Sequence, residues 1–228
     1  TRLFLLCSPH NPVGRVFRRD ELERLAEICL RHNLWIVSDD IHCDLLFQGR
    51  RHIPIASLAP EVAKRTITVM APSKTYNIAG LKCSIAVAPD AETVERMQAA
   101  RSGLVPGVNL MGYVAALAAY RDCQPWLDRL LAYLEGNRDF LLDYVRQNMP
   151  QVAVGTPEGT YLGWLDCRAL DLGESPKEFF LREARVALNE GAEFGPGGEG
   201  FVRLNFGCPR SVLETGLERM GEALARRR

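Results

Sequence analysis

No sign of charge dominates the 228 residues: lysine plus arginine and aspartate plus glutamate each number 28, so the formal net charge is zero. Without a net basic field or a polybasic run, neither nucleic acid nor an anionic membrane surface is an expected partner. No apolar run approaches the length of a bilayer span, and no charged-then-apolar leader stands before the first strand pattern. A soluble, cytoplasmic protein is therefore expected. The seven cysteines, Cys7, Cys29, Cys43, Cys83, Cys123, Cys167 and Cys208, are odd in number, scattered, and lack any C-x-x-C spacing. That argues against a disulfide framework and against zinc, and favours buried free thiols with no metal site. Internal repeats and low-complexity tracts are also missing. What remains is ordinary globular composition, 47% hydrophobic and 25% charged, long enough for one large or two small cores. A small neutral or zwitterionic ligand stays open.

Strands and helices alternate in the first half. Leu3 to Cys7 is a short apolar run ended by the turn formers SPHNPVG, and residues 20 to 32 follow as an amphipathic helix with Asp20 and Glu23 as its capping box. Leu34 to Ser38 and Ile67 to Met70 read as buried strands, with Ser84 to Ala88 as another. This order indicates a mostly parallel sheet with helices on its faces. From about residue 108 the chain turns helical, with a long amphipathic stretch from Pro125 to Asn148. A helix of that size spans about 36 Å, enough to carry the chain between domains. Beyond Pro150 come strands at 151 to 154 and 160 to 165, then a helix opened by Ser175, Pro176 and Glu178. A glycine-rich turn, a strand at 201 to 206 and a last helix boxed by Ser211 and Glu214 complete a small α+β domain.

Polar residues stand at three separate strand ends: Asn11 after the first, Asp39 after the second, Ser73 and Lys74 after the third. Parallel strands gather their carboxyl ends on one edge of a sheet, which is where open α/β sheets bind ligands. An amine for a Schiff base, a carboxylate for a pyridinium nitrogen and a donor for a ring oxygen are the parts that pyridoxal phosphate requires. Each has a plainer reading. A lysine is usually a solvated surface residue. Asp39, with Asp40 beside it, also suits a turn or a cap. His42 suits a helix face, Arg203 a surface ion pair, and Tyr161 with Trp164 a strand core.

Four ordered motifs, SPHNPVGRVF, VSDDIHCDL, APSKTYNIAGLK and GFVRLNFGCPR, resemble those of class I/II aminotransferase-like pyridoxal-phosphate enzymes of fold type I, above all the MalY/PatB-like carbon-sulfur β-lyases. The resemblance implies an α/β fold. Residues 1 to 122 would be the C-terminal part of a large cofactor-binding domain with a mostly parallel sheet, and 123 to 228 a smaller α+β domain. It implies that Lys74 forms the internal aldimine with pyridoxal 5'-phosphate, Asp39 pairs with the pyridine nitrogen, and Asn11 bonds the ring's 3'-oxygen. His42 takes the place where many relatives have a tyrosine, as in the lyase-like branch. Ser73 would hold the phosphate. Lys82 stands where relatives commonly have arginine, so a point charge replaces a fork. Arg203 would grip the α-carboxylate of an amino-acid substrate.

The activity so implied is cystathionine-type β-elimination, releasing a thiol, pyruvate and ammonia, with amino transfer to a 2-oxoacid as the alternative. A homodimer is implied as well. The resemblance places a phosphate-cradling loop and a stacking aromatic upstream, and neither is found after Thr1. The chain is accordingly expected to be a C-terminal portion, inactive on its own.

Overall fold

The computed structural model describes residues 1–227, which form two compact units: residues 1–10 with 16–129, and residues 11–15 with those from Leu130 on. In the first unit the order is β1 (Leu3–Cys7), α1 (Arg19–Arg31), β2 (Trp35–Asp39), a 3-10 turn (Ile55–Ser57), α2 (Pro60–Ala63), β3 (Thr66–Met70), α3 (Pro72–Thr75), a second 3-10 turn (Ala79–Leu81), β4 (Ile85–Val87), α4 (Ala91–Arg101) and α5 (Leu110–Asp122). The sheet runs β1-β2-β3-β4, the first three strands parallel and β4 antiparallel.

Helix α1 forms because Leu22, Ala26 and Cys29 recur on one face and are buried, with Asp20 and Glu21 in the first turn and Arg31 in the last. Its cap is not the expected Asp20 and Glu23. The helix starts two residues earlier than that box requires, and Glu21 Oε2 accepts from the Arg18 backbone N–H at 2.9 Å, while Asp20 pairs with Arg18 inside the first turn. Asn33 ends the run in the left-handed region (φ 56°). The helix packs with Leu6, Ile36, Ile55 and Val62 in one core cluster. Fully burying Leu22, Ile36 and Ile55 contributes roughly 2 kcal/mol each.

The opposite side of the sheet is less covered. Leu3 and Leu5, on the face away from α1, are exposed, as are Ile85 and Val87 on the edge strand β4, and the ITVM run, expected as a buried strand, is only half-buried. Among the described residues, the α1 core covers one face only. Helix α4 was not anticipated at all, because Thr93 is its single buried residue and it carries almost no apolar periodicity.

Helix α6 (Gln124–Asn148) carries the chain into the second unit, where β5 (Ala153–Val154), β6 (Leu162–Asp166), α7 (Pro176–Phe179) with a π-turn (Phe180–Ala184), β7 (Asn189–Glu190), a 3-10 turn (Gly191–Phe194), β8 (Phe201–Asn205) and α8 (Arg210–Ala225) follow. The sheet is antiparallel throughout, in the order β5-β6-β8-β7. Ser175 caps α7 as expected, accepting from the Glu178 N–H at 3.2 Å. The expected box of Ser211 and Glu214 does not form: α8 begins at Arg210, so Ser211 lies inside the first turn, and the Arg210 N–H donates to the Tyr133 hydroxyl at 2.6 Å.

Residues 11–15 belong to this unit through Gly14. Its carbonyl accepts from the Glu158 and Gly159 N–H groups at 2.8 and 3.0 Å, and its φ of 71° with Pro157 Cβ only 2.7 Å from a would-be Cβ leaves room for glycine alone. The glycine of the NPVG motif is thus a requirement of close approach. Among the described residues no helix is long and apolar enough to cross a membrane, and none of the seven cysteines is in a disulfide, three being buried and four half-buried.

Candidate active site

The parallel register sets Cys7 beside Asp39 and Asp39 beside Val69, so the carboxyl ends of β1, β2 and β3 lie along one edge of the first unit's sheet. Asp39, Asp40 and His42 leave that edge from β2, and Ser73 and Lys74 leave it from β3. The two adjacent aspartates have different work. Asp40 is buried and both its oxygens are engaged, Oδ1 by the Ser38 hydroxyl at 2.6 Å and Oδ2 by His52 Nε2 at 2.8 Å. Asp39 is half-buried. Its Oδ1 accepts from the Ile41 N–H at 3.2 Å, a turn-forming bond, while Oδ2 has no partner among the described residues. The turn role weighed from sequence is therefore real, yet it occupies one oxygen only.

His42 is 3% exposed in the turn after β2, and its carbonyl accepts from the Leu45 N–H at 2.9 Å. Its neighbour Cys43 is no nucleophile at neutral pH: burial, then the charges of Asp44 and Asp40, push the thiol up to about 12.

Lys74 sits in the single-turn helix α3, which Pro72 opens at its first position. The residue is half-buried, and its amine has no hydrogen bond or ion pair among the described residues. The turn itself is pinned: buried Thr75 donates its hydroxyl to Asp44 Oδ2 at 3.1 Å, tying the residue after Lys74 to the loop after His42. Just beyond, the Tyr76 ring meets Tyr120 edge-on at 5.7 Å and Trp126 at 6.2 Å. Burial, and then Asp44, raise the Tyr120 phenol to about 12. Ser73 is half-buried in the same turn, whereas Lys82 is exposed, in a left-handed conformation (φ 51°).

The scarcity of lysine adds to the motif in singling out Lys74. Only four of the 28 basic residues are lysine: Lys64, Lys74, Lys82 and Lys177. Lys64 precedes β3 and so belongs to the amino edge, and Lys177 pairs with Glu193 at 3.0 Å. Asp44 and Thr75 were missed; as a plain Asp and Thr in a loop and a turn, neither carries a pattern of its own.

In the second unit Arg203 and Asn11, 192 residues apart, are in contact: Nη1 donates to Asn11 Oδ1 at 2.7 Å, and Nη2 donates to Asn189 Oδ1 at 2.9 Å. Arg203 Nε is buried and has no hydrogen-bond partner among the described residues. Burial holds the guanidinium below the usual arginine range, opposed by Tyr161 and Glu193, and it lies 4.7 Å from the centre of the Phe194 ring. Asn11, whose oxygen is taken, keeps its amide donors. Trp164 stacks on Phe201 at 5.2 Å and meets Phe194 edge-on at 5.5 Å, while Tyr161 is half-buried beside them in sequence, its phenol raised by burial. The ion pair weighed for Arg203 is not present among the described residues. Asn189 and Phe194 escaped sequence reasoning, since β7 is two residues long and the glycine-rich turn has no period.

The chain matches the model of the family Aminotransferase class I and II over residues 1–220. It is 42% identical to the cystathionine beta-lyase PatB of Bacillus subtilis (strain 168) over 226 residues, covering 98% of this chain and 58% of that protein. It is 35% identical to the cystathionine beta-lyase of Corynebacterium glutamicum, covering 96% of this chain and 59% of that one. The structure of cystalysin from Treponema denticola, described as containing a pyridoxal 5'-phosphate cofactor, matches with a TM-score of 0.94 at 37% identity over 100% of this chain and 58% of its own. The chain thus spans less than two thirds of the length of these relatives. With a match across nearly all its residues and an α/β sheet edge of the corresponding form, it belongs to the class I and II aminotransferase family, of fold type I and related to the PatB- and MalY-like cystathionine beta-lyases.

Proposed function

We propose that the whole protein is a pyridoxal-phosphate-dependent carbon-sulfur β-lyase of the cystathionine type, acting on a small amino acid with sulfur at Cβ. The observation that carries this reading is the 42% identity to PatB across 98% of the chain. The residues fit the cofactor: Lys74 is half-buried and its amine has no counter-ion among the described residues, and Asp39 on the same sheet edge keeps one carboxylate oxygen without a partner among them. We further propose that the first unit is the C-terminal part of the large domain and the second the small domain, in a cytoplasmic homodimer.

Pyridoxal phosphate supplies an electron sink for negative charge developing at the substrate Cα. Lys74 would hold it covalently, and its Nζ would take the substrate's Cα proton. Asp39 Oδ2 would keep a proton on the pyridine nitrogen, Asn11 would donate to the ring's 3'-oxygen, a role the family resemblance also offers His42, and Ser73 and Lys82 would bind the phosphate. Arg203 would hold the α-carboxylate, for which a half-buried, unneutralised fork is suited. Cleavage of the Cβ–S bond would send the sulfur off with the bonding electrons, to be protonated as a thiol, and the aminoacrylate left behind would take up water to give pyruvate and ammonia. The family match itself favours a second reading, amino transfer to a 2-oxoacid, in which Lys74 returns the proton to a different carbon. Full-length protein loaded with pyridoxal phosphate and given cystathionine decides between them. Thiol and pyruvate in equal amounts support the lyase; amino transfer dependent on added 2-oxoacid, without thiol release, supports the alternative.

A further inference from the structure

We propose, resting on the reading of Arg203 as the carboxylate-binding residue, that Asn189 is a positioning residue that orients the Arg203 guanidinium without neutralising it, and so sets the site's preference for an anionic group. Asn189 and Arg203 are register partners across β7 and β8, and Trp164 is the register partner of Arg203 on the other side, from β6. Directly opposed residues project to the same face of a sheet. Arg203 is therefore bracketed by an amide on one side and an aromatic ring on the other. Its two Nη atoms are both held by uncharged amide oxygens, Asn11 at 2.7 Å and Asn189 at 2.9 Å. Phe194 covers the guanidinium at 4.7 Å from its ring centre. The carboxylate nearest in influence, Glu193, is engaged by Lys177 at 3.0 Å.

A partly desolvated cation with an unpaired buried Nε and no counter-ion among the described residues is costly unless an anion completes it. Amide oxygens are the acceptors that fix a fork in place while leaving its full charge for that anion. Aspartate at 189 would accept the same hydrogen bond and cancel the charge. Asn189 is exposed on a two-residue edge strand, so its replacement leaves the core intact.

The test is calorimetric titration of cofactor-free full-length protein with sodium propionate, with propylamine as the cationic control, for wild type, Asn189→Ser, Asn189→Asp and Arg203→Lys. Steady-state kinetics on the loaded enzyme accompany it. Asn189→Asp is expected to weaken propionate binding by about tenfold or more, the scale of one charge-assisted hydrogen bond, and to raise KM by a similar factor at nearly constant kcat. Asn189→Ser, which loses the contact but adds no charge, should weaken propionate binding by about fivefold, the scale of one lost neutral hydrogen bond, and unchanged binding by this variant overturns the orienting role. Propionate binding by Asn189→Asp within about threefold of wild type, with Arg203→Lys losing it, overturns the role of Asn189 alone. Undiminished binding by Arg203→Lys overturns the carboxylate reading of Arg203, and the proposal with it.

Discussion

Asn137 is fully buried in the middle of α6, and its amide is saturated. Nδ2 donates to the Phe206 and Cys208 carbonyls, both at 2.9 Å, and Oδ1 accepts from Arg210 Nε at 2.8 Å, with the Arg210 guanidinium 4.7 Å over the Phe140 ring. One side chain thus clamps the loop that leaves β8, the strand bearing Arg203. Asn137→Ala leaves two carbonyls and a guanidinium short of partners. Each neutral bond is worth about 1 kcal/mol net and the charge-assisted one about 2, and the half-buried Arg210 recovers part of its share from water. The expected loss is about 3 kcal/mol, read as the midpoint times m in equilibrium urea unfolding. Asn137→Asp should be no better, because a carboxylate keeps the acceptor for Arg210 but turns negative charge onto two carbonyl oxygens. The control is Asn148→Ala, which removes an exposed bond to the Tyr144 carbonyl and should shift stability by less than about 0.5 kcal/mol. A cost below about 1 kcal/mol for Asn137→Ala would refute the clamp.

Three further outcomes follow from the geometry. Asp39→Asn in the full-length protein should lower kcat far more than it raises KM, since the charge acts on the developing carbanion and not on substrate capture; the opposite split in steady-state kinetics rejects that role. Thr75→Val keeps shape in a buried site while breaking the 3.1 Å bond to Asp44, so kcat should fall about tenfold with cofactor content, measured by absorbance, preserved. A variant with full turnover would show that the link does not position Lys74. Asp90 caps α4 by accepting from the Thr93 N–H at 2.7 Å, which holds its carboxyl below the usual aspartate range. A pKa depressed on folding adds stability above the unfolded value and loses it as pH falls through the folded one, so the difference between wild type and Asp90→Ala should be present at neutral pH and vanish in acid.

The strand ends were legible because chemistry and punctuation coincide there: an apolar run, then Asn11, Asp39 or Lys74 within a few residues. Lys74 and Asp39 could be placed on one edge from alternation of strands and helices alone. What the sequence could not divide was Asp39 from Asp40, since the distinction lies in Ser38 and His52 saturating one of them. The caps of α1 and α8 were misplaced because suitable residue types recur near both starts, and Arg18 and Pro209, which hold the cap positions, are poor cap formers. Asn189, Phe194 and Asn137 reach their partners only through tertiary contact, across as many as 73 residues, and local periodicity carries no trace of that.

The most direct test of the account is the identity of the lysine that holds the cofactor. Full-length protein loaded with pyridoxal phosphate, reduced with borohydride and digested should yield the pyridoxyl group on the peptide containing Lys74, and Lys74→Ala should lose both the reducible attachment and pyruvate release from cystathionine. A pyridoxyl group on Lys82, Lys64 or Lys177 instead, or undiminished pyruvate release by Lys74→Ala, would contradict it.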